Sequence, residues 1–170
     1  MRRLAPLLLS ALTFLGHAPD AARAQSRGAH FQEGIELSSS EAGLEQGAVS
    51  TRFNLLELRD LWIRVRVARM PHISLLRLTF TSPRGEVFYE TKLLYSREPR
   101  AMEVQVQGVP HLRTAFPAKR VPGGYALDQP IPIGAGVFMR YPQPGTWLVQ
   151  ATLDGHHEAL AVQVDLGVAP

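Results

Sequence analysis

The side chains best suited to hold a metal are His72, His111, His156 and His157, with the thioethers of Met70, Met102 and Met139 as further donors. Imidazole and thioether suit Cu(I) and Cu(II), and imidazole with carboxylate suits zinc. His156 and His157 stand between Asp154 and Glu158, four polar residues within one reversal. Adjacent residues on a strand point to opposite faces, which hinders both imidazoles from binding one ion, and a solvated hairpin tip is the plainer account. Met102 and Met139 fall in apolar-facing register, which weakens them as ligands.

Arg64, Arg66 and Arg77 form the second candidate constellation. Alternate residues of a strand share a face and neighbouring strands align them, so the three could make a basic, polyanion-binding patch on an open sheet face. Glu86 or Glu90 of the next strand could neutralise it, which leaves an ordinary surface of mixed charge. Phe116 and Tyr125, with Pro117, could form an apolar partner-binding patch if exposed; otherwise they cap an open end of the fold.

Enzymatic signatures do not occur. There is no G-x-S-x-G, H-E-x-x-H, P-loop or G-x-G-x-x-G. Glu33, Glu36, Glu41, Glu45, Glu57 and Asp60 show no spacing that pairs two of them across a cleft, and no cofactor is implied. The absence of cysteine excludes disulfides, thiolate metal sites and cysteine nucleophiles together.

The elements that would position these residues are strands. Trp147, Val149, Ala151 and Leu153 alternate with polar or smaller neighbours, as do Leu160, Val162, Val164 and Leu166, with Asp154-Gly155 between the runs. Period two on both sides of a pair that tolerates positive φ predicts an antiparallel hairpin. Ile63, Val65 and Val67 against Arg64 and Arg66 predict a half-buried strand, and Leu76, Leu78 and Phe80 another. Ser82-Pro83-Arg84-Gly85 predicts a turn into a strand from Glu86 to Tyr95, where Val87, Tyr89 and Leu93 compete with Phe88 and Leu94 for the buried face. Met102, Val104 and Val106 predict one more short strand. Residues 107–130, punctuated by glycine and proline, read as an irregular excursion, and Ile131 to Tyr141 as a strand bulged at Gly134-Ala135-Gly136. Before all of these, His30 to Leu37 reads as an edge strand, and Ser38-Ser39-Ser40 with Glu41 as a capped helical turn.

Seven to nine strands with short turns predict an all-β, antiparallel β-sandwich. Residues 25–47 read as a weakly ordered N-terminal arm and residues 48–170 as the sandwich domain. The order Tyr141, Pro144-Gly145-Thr146-Trp147, alternation, Asp154-Gly155 and a final strand resembles the last two strands of immunoglobulin-like and macroglobulin-like sandwich domains of exported bacterial proteins. That resemblance covers residues 131–168 and carries no functional residues with it.

Residues 1–24 carry Arg2-Arg3, an apolar run through Leu15, and Ala22-Arg23-Ala24, the pattern of a cleaved signal peptide. Without them the 18 Lys and Arg become 15 and the 15 Asp and Glu become 14, so the mature charge is near zero and gives no case for nucleic acid. A periplasmic or secreted protein without a transmembrane segment follows as the expectation. The leading functional reading is a non-catalytic binding or structural module of the cell envelope, acting on an envelope or secreted protein partner through a sheet edge or the 107–130 excursion. The alternative is a periplasmic copper or zinc binding protein using the histidines and methionines. Native mass spectrometry with copper and zinc at micromolar free ion separates the two. The module reading expects no retained metal, and the carrier reading expects one bound ion.

Overall fold

A computed structural model describes residues 30–98, 101–106, 109–154 and 159–167. The signal-peptide assignment at residues 1–24 lies outside them. In chain order they form β1 (His30–Ser38), α1 (Glu41–Glu45), β2 (Arg52–Asn54), β3 (Asp60–Arg69), β4 (Ile73–Thr81) and β5 (Val87–Ser96). There follow β6 (Ala101–Val106), β7 (Val109–Thr114), β8 (Phe116–Pro117), β9 (Lys119–Val121), β10 (Gly124–Pro132), α2 (Val137–Arg140), β11 (Gly145–Leu153) and β12 (Leu160–Gly167). The fold is all-β. One sheet has the order β1-β3-β10-β9, a second, curled sheet has β2-β12-β11-β4-β5-β8, and β6 and β7 pair only with each other. No helix among the described residues is long and apolar enough to cross a membrane.

The C-terminal hairpin forms as its alternation requires, with Trp147 opposite Val164, Val149 opposite Val162 and Ala151 opposite Leu160. Trp147, Val149, Ala151, Leu153, Val164 and Leu166 are buried, and they meet Ile63, Val65, Val67 and Leu127 of the other sheet in one core. The Trp147 indole N–H donates to the Gln143 carbonyl at 2.8 Å, which satisfies the polar end of a buried side chain. Asp154 adopts φ 49° where the reversal begins, and its carboxylate accepts the Leu75 N–H at 2.6 Å.

The two competing faces of β5 are reconciled by a bulge. Its pairing with β4 shifts register between Phe80 and Thr81. A bulge sets two residues against one, so consecutive side chains can both turn inward. Phe88 thus reaches the Trp147 ring at 5.1 Å while Tyr89 reaches Phe80 at 5.8 Å. The turn before β5 has the expected form, with Gly85 at φ 83° and its N–H donating to the Ser82 carbonyl.

Three expectations need correction. The strand from Ile131 to Tyr141 stops at Pro132, and Val137–Arg140 is a helical turn. Phe138 is buried there, 5.6 Å from the rings of both Phe80 and Trp147, while Val137 and Met139 are exposed. One helical turn offers a single residue to the core, where a strand would have offered every second one. The 107–130 stretch is no irregular excursion among its described residues, since it supplies β7, β8, β9 and most of β10. The prolines near its end misled because they stand where no ladder donor is needed. β9 pairs with β10 only along Gly124–Ala126, which leaves Pro130 and Pro132 on an open edge. Gly124 is required at the start of β10, because a Cβ there would run into the Val67 carbonyl and lie 2.9 Å from the Ala68 Cα. Finally, pairing is not antiparallel throughout. β2 runs parallel to β12 and β8 parallel to β5, both as short outermost segments where the chain passes between sheets.

From His30 on, the region set apart as an N-terminal arm is also built into the sheet. β1 pairs antiparallel with β3, with Ile35 opposite Val65 and Leu37 opposite Ile63. α1 is capped by Ser40, whose hydroxyl accepts the Gly43 N–H at 3.0 Å. Phe138 joins α2 to the aromatic cluster of the core, so Phe138→Ala is expected to cost about 3–5 kcal/mol of stability. Urea unfolding checks this, and a loss below about 1 kcal/mol would show that α2 is dispensable to the core.

Candidate functional site

The arginine patch does not survive as a patch. Arg64 and Arg66 lie on the outer face of β3, whereas Arg77 lies on β4 in the other sheet. Arg64 is buried because α1 covers it, and a buried guanidinium must be paired. Its Nε and Nη2 donate to the two Asp128 oxygens at 2.7 and 2.8 Å, and its Nη1 donates to the Leu44 carbonyl of α1 at 2.9 Å. Lys119 adds a second cation, 3.2 Å from Asp128, 2.6 Å from Glu41 and 3.3 Å from Glu45. Arg66 pairs with Glu36 at 2.6 Å, and Arg77 lies 3.9 Å from Glu90, one of the neutralising residues foreseen.

Electrostatics in this network follow from geometry. Burial alone would push the Asp128 carboxyl up, but the hydrogen bonds and charges of Arg64 and Lys119 outweigh it and hold it below the usual range. Lys119 is raised first by its hydrogen bond with Glu41, against its own desolvation, with Asp128 and Glu45 adding to the rise. Across the core, burial first and then the Asp128 charge raise the Tyr95 phenol, whose O–H donates to the Asp128 backbone carbonyl at 2.8 Å. These shifted groups serve one structural network that clamps α1, β9, β10 and β3 together.

Of the metal candidates, His72 is exposed just before β4, and no group of three or more His, Asp or Glu among the described residues could hold an ion. The side chain of His111 and both residues His156 and His157 lie outside the described set. Met70 is buried in the core. Phe116 is 45% exposed, with its ring 5.7 Å from that of buried Tyr95. Tyr125 is half-buried under the Arg97 guanidinium, 5.6 Å from its ring centroid.

An open feature lies at the opposite margin of the fold. β1 is the last strand of its sheet, and beside it a groove of about 420 Å³ runs between Ile35–Leu37 and Val49–Arg52. The Ser50 N–H donates to the Leu37 carbonyl at 2.9 Å, so Leu37 directs its backbone groups away from β3. Backbone direction alternates with period two, and Ile35 therefore presents its N–H and C=O to the same open side. Among the described residues no backbone group outside the strand ladders meets them. Ile35 and Leu37 line the groove from β1 while their side chains are buried in the core, with Val49 53% exposed and Arg52 exposed at the rim. The edge strand was legible in the sequence. The groove was not, because its second wall, Val49–Arg52, is set beside β1 only by tertiary structure.

No protein-family model matches the sequence, and no curated protein matches it.

The folded pKa of Asp128 lies below the ordinary value of about 3.9. The stability it contributes is thus present above that pH and is lost as pH falls toward the folded pKa. Asp128→Asn is expected to cost about 3–5 kcal/mol at neutral pH, because it leaves Arg64 buried without its counter-charge. The gap between variant and wild type is expected to narrow below about pH 4. Urea unfolding as a function of pH reads both.

Proposed function

We propose that this is a non-catalytic, exported binding module of the cell envelope, an immunoglobulin-like sandwich that takes an extended segment of a partner protein along the edge of β1. The observation that carries it is the outward backbone of Ile35 beside an apolar groove. In strand addition, main-chain hydrogen bonds supply affinity and pockets for alternate side chains supply specificity. Ile35 offers the first and the Val49–Arg52 groove the second. Even a short unpaired edge is otherwise a liability that proteins cover or blunt. The compartment rests on Arg2-Arg3, the apolar run to Leu15 and the Ala22-Arg23-Ala24 cleavage pattern.

Crosslinking in the native host and capture from the envelope fraction is expected to recover one stoichiometric protein partner. Ile35→Pro removes the outward N–H without touching the ladder to β3, whereas Ile35→Ala removes the side chain and keeps the N–H. The proline variant is expected to bind the recovered partner about five- to tenfold more weakly than the alanine variant. Equal binding by the two would rule out strand addition at this edge.

A further inference from the structure

We propose that the protein has a second binding surface, separate from the β1 edge, where Tyr125 emerges at the end of the core, and that it takes an acidic segment of another protein. Tyr125 lies opposite Val67 of β3 and opposite Arg120 of β9. Arg69 follows Val67 by two residues on the same strand, which sets it diagonal to Tyr125 at about 7–8 Å between backbones. Arg97 comes from the other sheet. Its backbone N–H donates to the His72 carbonyl at 3.2 Å, its Nη2 donates to the Met70 carbonyl, and its guanidinium lies 5.6 Å from the Tyr125 ring centroid. Three exposed arginines from three strands or strand ends thus surround one half-buried aromatic ring.

What sets these arginines apart is that they gather around one ring, since the scattered exposed Arg52, Arg84 and Arg140 also have no carboxylate within 4.0 Å among the described side chains. Arg64, Arg66, Arg77, Lys92 and Lys119 each have a carboxylate within 4.0 Å, whereas Arg69, Arg97 and Arg120 have none among the residues whose side chains are described, a set that leaves out Glu33 and Glu103. The only carboxylate adjoining them in sequence, Glu98, is exposed. Uncompensated charge gathered at one place attracts and orients a partner of opposite sign.

The neighbourhood narrows the chemistry of that partner. Guanidinium forks match carboxylates two hydrogen bonds at a time, and Arg97 is already anchored through its backbone and Nη2 with Nε and Nη1 left over. Beside the strand end that carries Arg97, the exposed ring of Phe116 and exposed Pro117 offer apolar surface. An acidic peptide supplies carboxylates and apolar side chains together, while a chain of sugar acids has no apolar side chain to place there. Nucleic acid stacks its bases on a run of open rings, and here the Tyr125 face is taken by Arg97, which leaves Phe116 as a single platform.

The test uses protein expressed from the full sequence and a fluorescent peptide of repeated Glu-Glu-Phe at low salt. The peptide is expected to bind, with affinity falling as salt rises. Arg69→Gln combined with Arg120→Gln is expected to weaken it about tenfold or more. Arg84→Gln combined with Arg140→Gln removes the same charge from exposed positions elsewhere and is expected to change affinity less than about twofold. All four side chains are exposed without ion-pair partners among the described residues, and near-UV circular dichroism confirms that both variants fold. Ile35→Pro is expected to leave this binding unchanged, which keeps the two surfaces distinguishable. The proposal is overturned by absence of binding, by equal losses in the two double variants, or by tighter binding of heparin or oligo-dT than of the peptide.

Discussion

The buried pair of Arg64 and Asp128 is the constraint on which the four-stranded sheet depends. Their side chains are 7% and 5% exposed, so neither can borrow a partner from solvent. Both Asp128 oxygens receive an Arg64 nitrogen, and the remaining guanidinium donor reaches back to the Leu44 carbonyl of α1. Because strand side chains alternate with period two, a slip of one residue between β3 and β10 would turn Asp128 toward the core and leave the guanidinium unpaired. The pair therefore penalises the wrong register more than it adds to stability outright, since a well-packed apolar pair could stabilise as much.

From that pair the outer face of the sheet becomes self-contained. Lys119 and the acids of α1 extend it on one side, and Arg66 with Glu36 lies on the other. A face whose charges are spent internally holds its cover in place and offers little to a partner. Among the described residues, groups free to meet a partner lie at the margins instead, with backbone polar groups at Ile35 on one edge and guanidinium groups around Tyr125 on the other. The inner face follows a different rule. Trp147, Phe138, Phe80, Phe88 and Tyr89 interlock edge to face or tilted, with centroids 5.1–5.8 Å apart. Such packing combines large buried area with favourable ring geometry.

The places where sequence reading and structure part company share a cause. Phe138 belongs to a helical turn because Gly136, at φ 68°, breaks the extended chain just before it. The prolines of β10 signalled an irregular excursion in a stretch that is strand, because edge position is a property of the sheet and not of the residue. Phe88 and Tyr89 looked like rivals for one buried face, and the bulge opposite Phe80 admits both.

Sequence alone determined what depends on near neighbours. The alternation of Trp147 to Leu153 and of Leu160 to Leu166, the Ser82–Gly85 turn and the Ser40 cap are local patterns, and each appears in the structure as read. All-β architecture followed from their sum. What tertiary structure decided is which distant residues meet. Arg64 finds Asp128 at a separation of 64 residues and Lys119 finds Glu41 at 78, and no periodicity encodes such pairings. Whether an arginine is a free charge or a spent one is settled by those meetings, which is why the patch read at Arg64, Arg66 and Arg77 dissolves and another takes shape around Tyr125.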